Sequence, residues 1–300
     1  MTTPSFFQSR QLSLIISDPL YLSTRTFSRR LTGLINAYAH ELRSIGGYWS
    51  ASLTLTDHVR RLEEWAIYGL GRHLEVYNPS LTKIWEGFVN QINITEGGEQ
   101  FSLGPLLDVG NRLKVTYSPV DGTIAPPAVG ANTSTAVGNN TDSQALFGIW
   151  EKLQGVNQVT ATEATQLRDA FLTDPTRAYP DTSLDSNLSG SGLTVQIELL
   201  GYWHFLTGYY YANAAATGYS SITTKLAAVL AAAPNAIFST DTSQIATNAT
   251  LVKTNEDGTK TAETILKEMN ALGDAAGNPY TLGFYEGRRL IYQPMPTAVG

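Results

Sequence analysis

Alternating apolar and polar residues predict several short strands in the first 117 residues. The alternation is clearest in 50–56 and 111–117, and β-favourable runs also occupy 72–77 and 83–92. A period of two places one set of side chains against a core and the other toward solvent or a partner. Gly87 interrupts the longest run, which predicts a bulge or the close approach of another backbone.

Other local signals connect these strands. The segment 11–17 is predicted as a first strand, and 31–42 fits either a strand or a short helix. Apolar residues at helical spacing predict a helix over 57–69, with Asp57 capping its start and Gly69 ending it. Glu96-Gly97-Gly98-Glu99 is typical of a hairpin turn.

The composition changes sharply after residue 118. The segment 119–142 is rich in Pro, Gly, Ala, Thr and Asn and has almost no large apolar residue. Such a segment buries too little surface to order itself. We therefore predict a mobile linker or loop over 119–142.

The second half mixes helices and strands. Thr160 and Glu163 have the spacing of a capping box at the start of a helix that Pro175 stops. Alternation predicts a strand over 193–199, and 251–253 is a short strand. Helical spacing predicts helices over 221–233 and 261–272. The runs 280–285 and 288–292 flank Glu286-Gly287, which predicts a final hairpin.

Composition narrows the function classes. Hydrophobic residues make up 42% of the 300 positions, enough for a core, whereas charged residues make up only 15%, against a typical ~25%. The net charge of −6 argues against a general nucleic-acid binder. There is no cysteine. The first residues lack a basic region followed by an apolar core, so we expect no secretory signal.

Candidate chemistry is sparse. The four histidines, His40, His58, His73 and His204, form no zinc motif. No nucleophile elbow occurs, and no pair of carboxylates is marked as facing one cleft. We expect no catalytic residue, no metal and no cofactor. Trp203 with Tyr209-Tyr210-Tyr211 fits either a carbohydrate-stacking surface or core aromatics, and the core interpretation is favoured.

The order of these segments resembles the tail-hub proteins of long-tailed bacteriophages, which are minor tail or baseplate hub proteins. The resemblance rests on 46–48, 69–77, 84–89 and 111–117, then on Ser143 with Phe147-Gly148 before a Thr-capped helix, and on the final helix and hairpin. The structural motif residues are Gly47, Gly71, Trp85, Gly87, Asn111, Tyr117, Ser143 and Gly148.

The resemblance implies a β-rich α+β fold with two antiparallel, barrel-like hub domains and short packed helices. We assign a first hub-type domain to 1–118, a helical connecting segment to 143–181 and a second α+β hub-type domain to 182–300. It further implies a homotrimeric ring in the virion tail tip or baseplate, assembled in the host cytoplasm.

The implied partners are the tail tube or distal tail protein, the tape-measure protein and the central tip or fibre protein. Genomic DNA would pass transiently without stable binding, through a lumen whose candidate lining groups include Glu75 and Glu198. Two alternatives stay open: a distal-tail or fibre-base protein with a carbohydrate-binding surface, and a tail-associated hydrolase.

Overall fold

A computed structural model of the protein describes residues 12–19, 28–31, 35–56, 59–121, 128–186, 194–214 and 216–295. In these ranges the chain is α+β and rich in strands, with curled antiparallel sheets and several short helices, as the sequence predicted. Asp57, the expected helix cap, lies outside the described residues. No helix in the described ranges is long and apolar enough to cross a bilayer.

Strands and helices are numbered in chain order. The strands up to the predicted linker are β1 Ser13–Ser17, β2 Ser28–Leu31, β3 Ile35–Arg43, β4 Ile45–Leu55, β5 His73–Tyr77, β6 Lys83–Glu96, β7 Glu99–Leu103 and β8 Arg112–Asp121. The later strands are β9 Ala128–Val129, β10 Thr133–Ser134, β11 Gly138–Asn139, β12 Glu151–Val159, β13 Thr182–Asp185, β14 Thr194–Leu200, β15 Tyr210–Ala212, β16 Tyr219–Ser221, β17 Leu251–Lys253, β18 Asp257–Thr261, β19 Tyr280–Tyr285 and β20 Arg289–Pro294. The α-helices are α1 Val59–Tyr68, α2 Thr141–Phe147, α3 Ala161–Thr173, α4 Pro175–Ala178, α5 Ile222–Ala231 and α6 Ala262–Leu272. The 3₁₀ helices are Leu106–Asp108, Tyr202–Gly208, Pro234–Ala236 and Glu286–Arg288.

Most strands belong to one large sheet. Its main order is β2-β1-β5-β6-β14-β4-β19-β20, with β3 added to β4, β7 to β6 and β13 to β7. The pairing is antiparallel except between β4 and β19. The segment 31–42, left open between strand and helix, therefore contributes strands.

This sheet joins the two ends of the chain. Strand β14 lies between β6 and β4, and β19 pairs with β4. Strand pairing thus crosses the boundaries that we placed at 118 and 182. The division into two hub-type domains stays a prediction, and the structure is described here by its sheets.

The second sheet is built around β8. Strands β9, β10 and β11 pair with β8 antiparallel, and β12 pairs with it parallel. The described parts of the expected linker, 119–121 and 128–142, therefore contain paired strands and the start of α2. Its composition provides no core of its own, but the backbone of β8 supplies hydrogen-bond partners that composition does not reveal. Residues 122–127 lie outside the described part of the chain.

Local signals fix the helix ends as expected. The Thr160 hydroxyl accepts from Glu163 N at 3.2 Å while the Glu163 carboxylate accepts from Thr160 N at 2.8 Å, which completes the predicted capping box. Thr261 caps α6, and Gly273, at φ 62°, ends it. The β6–β7 hairpin turns through Gly97 and Gly98, both at positive φ.

Two apolar clusters form the core of the described residues. The main cluster packs the large sheet against α5, α6 and the 3₁₀ helix Tyr202–Gly208. The smaller cluster lies between β8 and α3 and contains Leu113, Val115, Tyr117, Ala164 and Leu172. The alternation read from β8 is therefore confirmed, because its apolar face is the buried one.

Candidate functional site

Four of the eight motif residues lie in or beside the large sheet. Gly47 has φ 78° and lies so close to the Phe284 backbone, on the parallel strand β19, that a Cβ would clash. Gly71 has φ 74°, and its N–H donates to Val89 O at 2.9 Å. The Trp85 side chain is fully buried in the main core. These residues are constrained by backbone geometry and packing.

Gly87 is required by a close approach of two strands. A Cβ at this position would collide with the carbonyl group of Leu200 on β14 and with the Trp85 ring. Its φ lies outside the left-handed region. Of the two reasons the sequence offered for this glycine, the structure supports the close backbone approach.

Asn111 is the centre of a buried hydrogen-bond network that joins the start of β8 to the end of α2. Its Nδ2 donates to Ser143 Oγ at 3.1 Å and to Gly148 O at 2.7 Å, and its Oδ1 accepts from Trp150 N at 2.8 Å. Ser143 Oγ in turn donates to Ala178 O. We call Asn111, Ser143 and Gly148 the Asn111 latch.

The latch connects three motif residues that are far apart in sequence. Ser143 and Gly148 lie 32 and 37 residues after Asn111. Gly148 has φ 77°, a conformation that suits glycine at the end of α2. Tyr117 belongs to the same strand as the latch but is packed in the small apolar cluster instead.

A second polar cluster, inside the large sheet, was missed by the sequence reasoning. Lys83 Nζ lies 2.5 Å from Glu75 Oε1 and 2.7 Å from Glu86 Oε2. Glu86 is only 1% exposed, and its Oε1 accepts from Arg288 N at 2.5 Å. The ion pairs and these hydrogen bonds compensate the cost of burying the charges.

His73 and two tyrosines complete this cluster. Nε2 of His73 lies 3.4 Å from Glu75 Oε1, and its Nδ1 is hydrogen-bonded to the Tyr202 hydroxyl. Tyr77 donates to Glu75 Oε2 at 2.8 Å. No local signal marks the set, because Lys83 and Glu86 are three apart in a strand and Tyr202 is 129 residues from His73.

This arrangement shifts the pKa values of Glu75 and Lys83. Burial opposes ionisation of Glu75, but hydrogen bonds from His73, Lys83 and Tyr77 and the Lys83 charge outweigh it and lower the pKa of Glu75 to about 2. Burial likewise opposes the charge on Lys83, yet its hydrogen bonds to the two glutamates raise the pKa of Lys83 above its usual value. Glu75 and Lys83 are therefore both charged at neutral pH.

The same groups have the spacing of metal ligands. Ligand atoms of His73, Glu75 and Glu86 all lie within 4.8 Å of one another. However, the ammonium group of Lys83 already binds both carboxylates. The cluster is therefore satisfied by an internal cation, and the expectation of no metal stays a prediction.

The structure also gives the positions of the candidate aromatic side chains and of the two candidate lumen-lining glutamates. Trp203, Tyr209 and Tyr211 are buried, so these side chains are core aromatics, as the favoured interpretation held. Glu75 is tied into the ion-pair cluster, which removes it as a free lumen-lining group. Glu198 is exposed and accepts a hydrogen bond from Asn90 at 3.1 Å.

The exposed edges of the large sheet are the remaining candidate surface. Among the described strands, β3 pairs only with β4, and β13 pairs only with β7. Most of β3 is exposed, including Leu42 at 53%, and all of β13 is exposed, including Leu184 at 66%. An edge strand presents unpaired N–H and C=O groups that another strand can bind.

Comparison of the chain with protein-family models, with curated proteins and with solved structures finds no match.

Proposed function

We propose that this protein is a structural protein of the bacteriophage tail tip or baseplate, where it forms a hub ring that joins the tail tube to the tip or fibre apparatus and lets DNA pass. The observation that carries the proposal is the long exposed edge strand β3. A nine-residue strand with one unpaired edge and exposed side chains suits a protein that completes its sheet with a neighbouring subunit.

The motif residues support the same interpretation. Asn111, Ser143 and Gly148, on which part of the hub resemblance rests, bind one another in a buried latch. Gly47 and Gly87 each occupy a close approach between strands. The residues quoted for the resemblance thus fix close contacts within the large sheet and around the start of β8.

The composition is consistent with an assembly protein. Only 15% of the residues are charged, and hydroxyl and amide side chains are frequent. Surfaces with few charges are cheaper to desolvate when subunits join. In this proposal the protein acts by assembly and by leaving a passage for DNA, without catalysis.

The proposal is tested first by location. Virions of the phage that encodes this chain are purified and labelled with gold-conjugated antibodies raised against the recombinant protein. We expect labels at the distal end of the tail, and tail fragments lacking the tip serve as the control. Label distributed along the tail tube, or a chain found only in lysates, would contradict the proposal.

The native mass provides an independent test. Light scattering of the purified protein should give three times the 32.5 kDa of the chain. Because isolated hub subunits can require a partner to close, the measurement is repeated on tips released from virions. A stable monomer in both preparations would exclude the ring.

A further inference from the structure

The exposed strands β3 and β13 lie at different edges of the large sheet. Following paired strands across the sheet gives the order β13-β7-β6-β14-β4-β3. Every neighbouring pair in this order is antiparallel. Strands β13 and β3 therefore form opposite edges of one antiparallel six-strand portion.

The number of strands determines how two copies would fit. Because the six strands alternate in direction, β13 and β3, the first and the sixth, run in opposite directions. A second copy placed so that the sheet continues would set its β13 antiparallel to β3 of the first copy. Antiparallel pairing is the arrangement found throughout this portion, so the continuation changes no strand direction.

Both edges also carry an exposed apolar side chain. Leu42 on β3 and Leu184 on β13 are both more than half exposed. Large apolar side chains on a free strand edge favour pairing with another chain.

We propose that β3 of one subunit pairs antiparallel with β13 of the next, so that the subunits of this chain join head to tail. This contact uses two different surfaces and therefore generates a ring when the rotation between subunits closes. The proposal deepens the proposed function and rests on it, because it names the strands that close the hub ring. The regular part of β3, Ala37–Glu41, is long enough to pair with all four residues of β13.

Disulfide cross-linking tests the pairing directly, because the natural chain has no cysteine. Each variant carries one cysteine on β3, at Ala37, Ala39 or Glu41, and one on β13, at Ser183 or Leu184. These positions are exposed, so folding should be preserved. The two cysteines of one chain lie at opposite edges of the sheet, so we expect bonds between chains. Only directly opposed residues are close enough to cross-link.

We expect at least one of the six variants to give oxidised dimers and trimers that separate on reduction, while single-cysteine variants stay uncross-linked. Oligomers that form without cross-links in any variant would overturn the pairing and leave the tail-tip assignment intact. Cross-linked dimers from a β3-only cysteine would show a two-fold β3–β3 contact and would also overturn it. A persistent monomer among released tips would refute the pairing and the ring together.

Charge substitutions provide a second measurement. Leu184→Glu should weaken subunit association by about tenfold or more, because it would remove an apolar side chain from the proposed joint. Leu272→Glu is the matched control, since Leu272 is 54% exposed at the end of α6. Equal association of the two variants would contradict the proposal, with circular dichroism confirming that each is folded.

Discussion

Replacing Asn111 with alanine tests the latch that joins β8 to α2. The change removes three buried side-chain hydrogen bonds, to Ser143, Gly148 and Trp150. A lost bond costs about 1 kcal/mol net, whereas a buried group left without a partner costs about 1–3 kcal/mol. Ser143 Oγ still donates to Ala178 O, but Trp150 N and Gly148 O lose their partner. We therefore expect the free energy of unfolding to fall by about 3–7 kcal/mol.

The loss is measured by urea and thermal unfolding of the full chain. A domain of this size class shifts its melting temperature by roughly 2–4 °C per kcal/mol, so the variant should melt about 6–28 °C lower. Asn132→Ala is the control, because Asn132 is exposed and accepts only from the Ser118 hydroxyl. A loss below about 1 kcal/mol, equal to that of the control, would refute the role assigned to the latch.

Four further predictions follow from the other sites. Gly87→Val should lower the free energy of unfolding by about 1–3 kcal/mol, because the valine side chain would meet the Leu200 backbone. Gly155→Val, at an open position, is the control, and equal stability of the two variants would contradict the argument. Lys83→Met leaves the buried Glu86 and the partly buried Glu75 without their cation and should cost about 3–5 kcal/mol. Adding Glu86→Gln should restore part of this loss, and no rescue in denaturant titrations would count against the ion pair. The pKa of Glu75 is lowered from 4.5 to about 2 on folding. Its contribution to the free energy of unfolding, about 3 kcal/mol, is therefore present above pH 4.5 and is lost as the pH falls toward 2. Glu75→Gln should flatten the plot of stability against pH in this range, and an unchanged plot would refute the linkage. If the ring forms, it should bind duplex DNA weakly even at low salt, whereas micromolar binding that weakens steeply with added salt would reveal a basic passage.

The local parts of the fold were readable from sequence because their causes lie within a few residues. The capping box needs only Thr160 and Glu163, and the turn between β6 and β7 needs only its two glycines. The buried face of β8 follows from alternation within one strand. Each of these signals depends on backbone geometry that repeats every two to four residues.

The contacts within the candidate sites, in contrast, could not be read from local sequence. Sequence reasoning named Asn111, Ser143 and Gly148 through a resemblance, but nothing local showed that one side chain binds the other two. The Lys83 cluster gave no signal, since Glu86 accepts from a backbone group 202 residues away. Such contacts depend on which strands become neighbours, which alternation does not specify.

The sequence by itself determined many of the strands and helices, where several of them end, and that the chain has the apolar content for a core. Only the tertiary structure decided that β14 lies between β6 and β4, that residues 128–139 pair with β8, and that β3 and β13 are opposite edges of one sheet. The physical reason is that a strand's pattern defines its faces, whereas its edge hydrogen bonds are the same for every sequence and are assigned by packing among distant segments.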